Sequence, residues 1–265
     1  MVESKKKYRY FYFKRSFFYM ILTFKICLIP VFLSAQGEFN NWYFGAWAAI
    51  DFNIAPPIAL MNSAMNANGA TVSISDSLGV LLFYSDGRKV YNRNHQIMPN
   101  GNGLNGFPGT FQHVFSIKKP GEDRIYYIFT IKCEGIPLQT GLHFSLIDMN
   151  LNGGLGDIIP SYKNILVSNA EDSRDMIHGT RHYNNRDAWI VVRKNSTSQY
   201  SSFLVSSAGV STTPVLSQCN IPGASNDNQG QIKISQDGTK LVAQGRDPPS
   251  SMIAELCNFN SQTGE

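Results

Sequence analysis

The sequence predicts an all-β protein and, within that class, a β-propeller. Three observations carry the prediction. From Asn40 onward no long stretch repeats with the 3.6-residue period of a helix. Short apolar or alternating runs, each ended by a Gly-, Asn- or Asp-bearing turn, follow one another through the chain. Their first turns, near Asp76, Gly121, Asn185 and Asp237, recur at roughly 45–65 residues, enough for three or four strands and a variable loop. A sheet of that size cannot bury both faces alone, so successive sheets must pack on one another. A two-sheet sandwich is the other architecture that a train of hairpins permits.

The repeating units can be taken in order. The first uses residues 70–92: Leu81-Leu-Phe-Tyr-Ser, then Asp86-Gly87, then Arg88-Lys-Val-Tyr-Asn. Asp-Gly suits a two-residue hairpin turn, which needs positive φ. The second unit spans 112–158. Its run Ile125-Tyr-Tyr-Ile-Phe-Thr-Ile is apolar throughout, as in a strand covered on both faces. Leu142-His-Phe-Ser-Leu-Ile-Asp alternates, and Asn152-Gly153-Gly154 ends it. The third unit, 175–215, contains the central-strand run Ala188-Trp-Ile-Val-Val. The fourth starts near Gly230, with Ile232-Lys-Ile-Ser, Asp237-Gly238 and Lys240-Leu-Val-Ala. It runs through a strand at 251–260 into a turn at 261–265. Four units are fewer than most propellers close with, so 36–265 is expected to be an incomplete propeller, truncated at its C-terminus. A small closed four-bladed ring is the alternative.

The chain has 265 residues, 43% hydrophobic, 12% aromatic and 16% charged, which suits a large core and excludes a disordered chain. Its net charge of +4 is not spread evenly. Residues 1–35 hold seven Lys/Arg and one acid, leaving 16 basic and 18 acidic residues in the body. No cluster of Lys/Arg remains to displace counterions, so no nucleic-acid partner is expected. The basic start, the apolar runs around Lys25 and the small pair Ser34-Ala35 predict a signal peptide over 1–35, cut after Ala35. Met20 is a possible true start, since it opens a more compact signal. No stable membrane span is expected after cleavage. Cys27 lies in the signal, leaving Cys133, Cys219 and Cys257, an odd number without a Cys-x-x-Cys pair; these read as buried thiols.

Ile232-Lys-Ile-Ser-Gln-Asp-Gly-Thr-Lys-Leu-Val-Ala resembles the recurrent hairpin of WD-like and TolB-type propellers, with Gln236 in place of proline. A longer series occurs in one order: Asn40-Asn-Trp-Tyr-Phe-Gly, Asp51-Phe-Asn, Pro56-Pro-Ile-Ala-Leu, Ile74-Ser-Asp, Leu81-Leu-Phe-Tyr-Ser-Asp-Gly, Tyr91-Asn-Arg-Asn-His-Gln-Ile-Met-Pro-Asn-Gly and Leu104-Asn-Gly. Tyr126-Tyr-Ile-Phe-Thr, Asp148-Met-Asn-Leu-Asn-Gly-Gly-Leu-Gly-Asp and Ala188-Trp-Ile-Val continue it. Together they resemble the N-terminal propeller region of large secreted Bacteroidota proteins, with Tyr91 where that family has Trp. Such proteins carry PKD or other Ig-like repeats downstream and a gliding-motility-associated, type IX secretion sorting domain. The resemblance implies export to the surface or medium, or to the periplasm in the absence of a sorting domain. It implies no reaction.

Candidate chemistry is sparse. His178 and His182 share a face by spacing, but the run reads as strand and lacks the glutamate of a helical zinc motif. With Asp175, Arg181 and Arg186 they form a polar cluster, the candidate binding site for an acidic group on an extracellular protein or glycan. The Asn150–Asp157 stretch reads as a Gly-rich turn, too poor in acids for a calcium loop. No nucleophile elbow, phosphate loop or dinucleotide fingerprint is present, so no catalytic residue, metal or cofactor is expected. Trp42, Tyr43, Phe44 and Trp47 are dense in one strand; the expected role is core, and the alternative is stacking on sugar rings. The expected function is a non-enzymatic secreted or cell-surface interaction module. A polysaccharide hydrolase or lyase with its site in the propeller funnel is the alternative.

Overall fold

The computed structural model describes residues 37–107, 110–134, 139–220, 230–247 and 251–265. The signal segment 1–35 and the start at Met20 lie outside the described residues. Five small antiparallel sheets follow one another along the chain as a five-bladed β-propeller. The first sheet holds β1 (Asn41–Phe44), β2 (Ala48–Asp51) and β3 (Ile58–Leu60). The second holds β4 (Val72–Ser75), β5 (Leu81–Ser85), β6 (Lys89–Asn92) and β7 (Ile97–Asn102). The third holds β8 (Val114–Lys118), β9 (Ile125–Glu134) and β10 (Gln139–Asp148), with the short β11 (Asp157–Ile158) and β12 (Ile165–Leu166) both paired to β10. The fourth holds β13 (Ser173–Arg181), β14 (Ala188–Lys194) and β15 (Gln199–Ser206), with β16 (Gly209–Val210) and β17 (Val215–Gln218) both paired to β15. The fifth holds β18 (Gly230–Ile234), β19 (Lys240–Asp247) and β20 (Ser251–Asn258). The four units read from the sequence are the second to fifth sheets. The additional blade is the first sheet, whose strands are short and lack an Asp-Gly turn.

The leading strand of each sheet packs on the next, in the order β1, β4, β8, β13, β18. Side chains on successive strand residues point to opposite faces. In β9 this divides the apolar run between two cores: Tyr126 and Ile128 join Phe83, Val90 and Met98 of the second sheet. Tyr127, Phe129 and Ile131 join Ile177, Ile190 and Phe203 of the fourth. In β14 Ile190 and Val192 face the third sheet, while Trp189 and Val191 face Ile232, Ile234 and Leu241 of the fifth. Each such side chain contributes roughly 1.5–3 kcal/mol by leaving water. Four buried cores therefore join five sheets. Among the described residues no comparable core joins the fifth sheet to the first.

The Asp86-Gly87 turn is longer than the two residues expected. Ser85 pairs with Val90, so four residues lie between the last paired positions. Only Gly87 has positive φ, 79°. Asp86 instead caps the loop: its Oδ1 accepts the N–H groups of Arg88 at 2.9 Å and Lys89 at 2.7 Å. Near the axis, Gln112 precedes β8 and ties the third sheet to the fifth. Its Nε2 donates to the Ile232 carbonyl at 2.9 Å and its Oε1 accepts the Ile232 N–H at 2.7 Å. The amide thus occupies backbone groups on the inner edge of β18, where an incoming strand would otherwise pair.

Candidate interaction surface

The polar residues singled out from the sequence lie along β13 and the turn after it. Asp175 and Arg181 are six positions apart, about 20 Å of strand at its usual rise. Asp175 is buried at 1% exposure, beside a bulge in the β13–β14 pairing. His178 lies mid-strand with its ring centroid 5.1 Å from that of Phe115. Burial, and then the charge of Lys233, push its pKa down to about 4. Arg181 is exposed at the strand end, and Arg186 is exposed on the turn. His182 holds that turn: its Nδ1 accepts the Asn184 N–H at 3.0 Å, and its ring lies 5.7 Å from Trp189. Arg181, His182 and Arg186 thus share one turn, with His178 and Asp175 strung away from it along the strand. Among the described residues no three His, Cys, Asp or Glu side chains converge as metal ligands.

The first sheet departs more sharply from expectation. In β1 the residues alternate in and out of the protein. Tyr43 points to the second sheet and is buried, stacking on Tyr84 at 4.4 Å, which stacks in turn on Tyr91 at 5.1 Å. Burial raises the pKa of the Tyr43 hydroxyl, partly offset by its hydrogen bond to Asn62. Trp42 and Phe44 point the opposite way, where no sheet packs among the described residues. Trp42 is 52% exposed and Trp47, in the turn between β1 and β2, is 55% exposed. The core reading of this strand therefore holds for Tyr43 and fails for Trp42, Phe44 and Trp47.

The exposed aromatics are held in place. The Trp42 indole N–H donates to the Phe39 carbonyl at 2.8 Å, and its ring lies 4.9 Å from Phe52, tilted by 53°. Trp47 sits at φ 57°, a left-handed conformation that costs a bulky residue roughly 1–2 kcal/mol. Its own N–H donates to the Met65 carbonyl at 2.8 Å, which fixes the turn. A half-exposed, positioned aromatic surface offers flat apolar contact to a sugar ring or an apolar side chain. The sequence signal was the density of Trp and Phe in 42–52. What it lacked was any sign that, among the described residues, only one face of this sheet meets another sheet.

The fifth sheet also has a face that no other sheet covers among the described residues. Val242 and Leu256 are paired across β19 and β20, and they and Met252 are exposed. No helix among the described residues is long and apolar enough to cross a membrane. No protein-family model matches the sequence, and no curated protein sequence matches it.

Proposed function

We propose that this protein is a non-enzymatic interaction module, exported by the segment 1–35, that contacts a glycan or protein outside the cell. The outward aromatic face of the first sheet is its contact surface. The propeller serves as a rigid scaffold for that face. The observation that carries the reading is the exposure of Trp42 and Trp47 on ordered backbone, with Trp47 held at positive φ. Strained, exposed aromatics are retained where contact with a partner repays the strain. The ordered motifs shared with secreted Bacteroidota propeller proteins support an extracellular or cell-surface place.

The test is a panel of immobilised neutral and acidic polysaccharides, read for both binding and release of reducing ends. The expected result is saturable binding without turnover. Trp42→Ala should weaken it about tenfold, the scale of a lost aromatic anchor, with an unchanged melting temperature. Turnover abolished by His182→Ala would instead establish the hydrolase or lyase reading.

A further inference from the structure

We propose that His95 is an acid-sensitive clasp between the first two sheets. As a neutral imidazole it fastens the segment 61–67, which follows β3, to the second sheet through the Tyr84 hydroxyl; as an imidazolium it lets that segment go. The clasp concerns how the first sheet is held and stands without any reading of its outward face. The segment 61–67 backs the turn between β1 and β2. Asn66 forms a bridge with Ala46, and the Ala67 N–H donates to the Gly45 carbonyl at 2.9 Å. The Met65 carbonyl accepts the Trp47 N–H, and its side chain is fully buried among Tyr43, Tyr84 and Tyr91. The imidazole is delivered by the tight turn between β6 and β7. His95 has φ 61°, and its N–H donates to the Asn92 carbonyl at 2.9 Å. The Asn92 Oδ1 accepts the N–H groups of Asn94 at 2.9 Å and Gln96 at 3.2 Å. Non-glycine residues held at positive φ are uncommon and point to a task for the side chain so placed.

The Tyr84 hydroxyl lies 3.2 Å from His95 Nδ1 and accepts the Ala64 N–H at 3.1 Å. Burial raises the pKa of this hydroxyl, and its bonds to Ala64 and Ser63 offset that, as donors to the oxygen do. A phenol has one proton to give, and it goes to His95 Nδ1. The imidazole proton is therefore on Nε2, and the bond exists only for the neutral ring. On an imidazolium Nδ1 carries a proton of its own. That N–H competes with the Ala64 N–H for the same oxygen. The titratable groups facing the imidazole are Tyr43 of β1 and Tyr84 of β5, with ring centroids 5.5 and 5.8 Å away; Tyr91 of β6 stacks on Tyr84. Burial raises all three hydroxyls, so none ionises in the range of a histidine. Arg93, on the same turn, is engaged with the Gly154 carbonyl at 3.1 Å. Asp51 bears on Tyr43 and Asp86 on Tyr91, while the influence on His95 is burial, which lowers its pKa. The clasp is thus fully closed above the ordinary histidine value of 6.5 and opens as pH falls through the lowered one.

The test is amide hydrogen exchange read by NMR at about pH 7.5 and about pH 4.5, with the intrinsic rate of each amide divided out. In acid, protection at Ala64, Met65 and Ala67 should fall about fivefold relative to the amides of β9, the scale of one lost hydrogen bond. His95→Gln, whose side-chain oxygen accepts the Tyr84 proton and does not titrate, should keep that protection at both pH values. Tyr84→Phe removes the hydroxyl and should leave Ala64 poorly protected at both; it serves should the first variant fail to fold. Equal protection at the two pH values in the unmodified protein overturns the proposal. So does an acid loss that persists in either variant, or one shared equally by β9, which would belong to the whole molecule rather than to this segment.

Discussion

Glu255 shows how a buried charge is accommodated between two blades. Its Oε1 accepts the Tyr200 O–H at 2.5 Å and its Oε2 accepts the Asn220 N–H at 2.8 Å. Burial first, and then this bond and charge, raise the pKa of the Tyr200 hydroxyl, which stays a donor across the physiological range. Glu255→Ala leaves two donors unmet and should cost about 2–4 kcal/mol in urea unfolding. Glu255→Gln, which keeps an acceptor, should lose less. Equal losses would mean that volume, not hydrogen bonding, matters there. His178 adds an acid sensitivity. An exposed histidine titrates near 6.5 and this one near 4, because burial and Lys233 disfavour the imidazolium. Its contribution is fully present above pH 6.5 and is lost as pH falls from 6.5 through 4, by up to about 3 kcal/mol. Urea midpoints measured across that window should fall less steeply in His178→Gln; parallel curves would remove His178 as the cause.

At the scale of the element, the strands were legible where two faces were both buried. The unbroken run in β9 and the shorter one in β14 read as central strands because each face meets a different core. Turn chemistry was legible in kind but not in length: Asp86-Gly87 marked a hairpin, while the carboxylate cap widened it to four residues. Asp86→Ala should cost about 1–2 kcal/mol through its two lost backbone bonds. Gly87→Ala should cost at least as much, since its φ is 79° and an added Cβ would lie 2.8 Å from the His113 ring. Thermal melts of the two variants check this, and a neutral Gly87→Ala would contradict the turn geometry. The first sheet was missed as a blade because strands of four, four and three residues carry little periodicity. Its aromatic density suggested core for the same reason that β9 did. Nothing in the residues themselves says that one face meets no other sheet among the described residues. The polar residues show the opposite effect of a strand: closeness in sequence becomes separation in space, so Arg181, His182 and Arg186 share the turn while Asp175 and His178 lie along β13.

For the whole molecule, the class and the order of sheets could be read from the hairpin spacing, whereas the contacts across the axis could not. The Gln112 tie joins residues 120 positions apart, and no local pattern announces it. Gln112→Ala should leave the fold intact but speed hydrogen exchange at Ile232 about tenfold, as one inner strand loses its clip. Unchanged exchange would show that β18 is held by its sheet alone. Among the described residues, five sheets joined by four cores leave one face of the first sheet and one of the fifth uncovered by another sheet. The proposed partner contact lies on the first sheet, at its positioned aromatics. The most direct test is a hydrogen-exchange map of the purified protein with and without the polysaccharide selected by the binding panel. Contact through the aromatic face should protect residues 41–52 and leave 175–186 unchanged. Protection over 175–186 with 41–52 unchanged would place the contact on the polar strand and turn, and would contradict it.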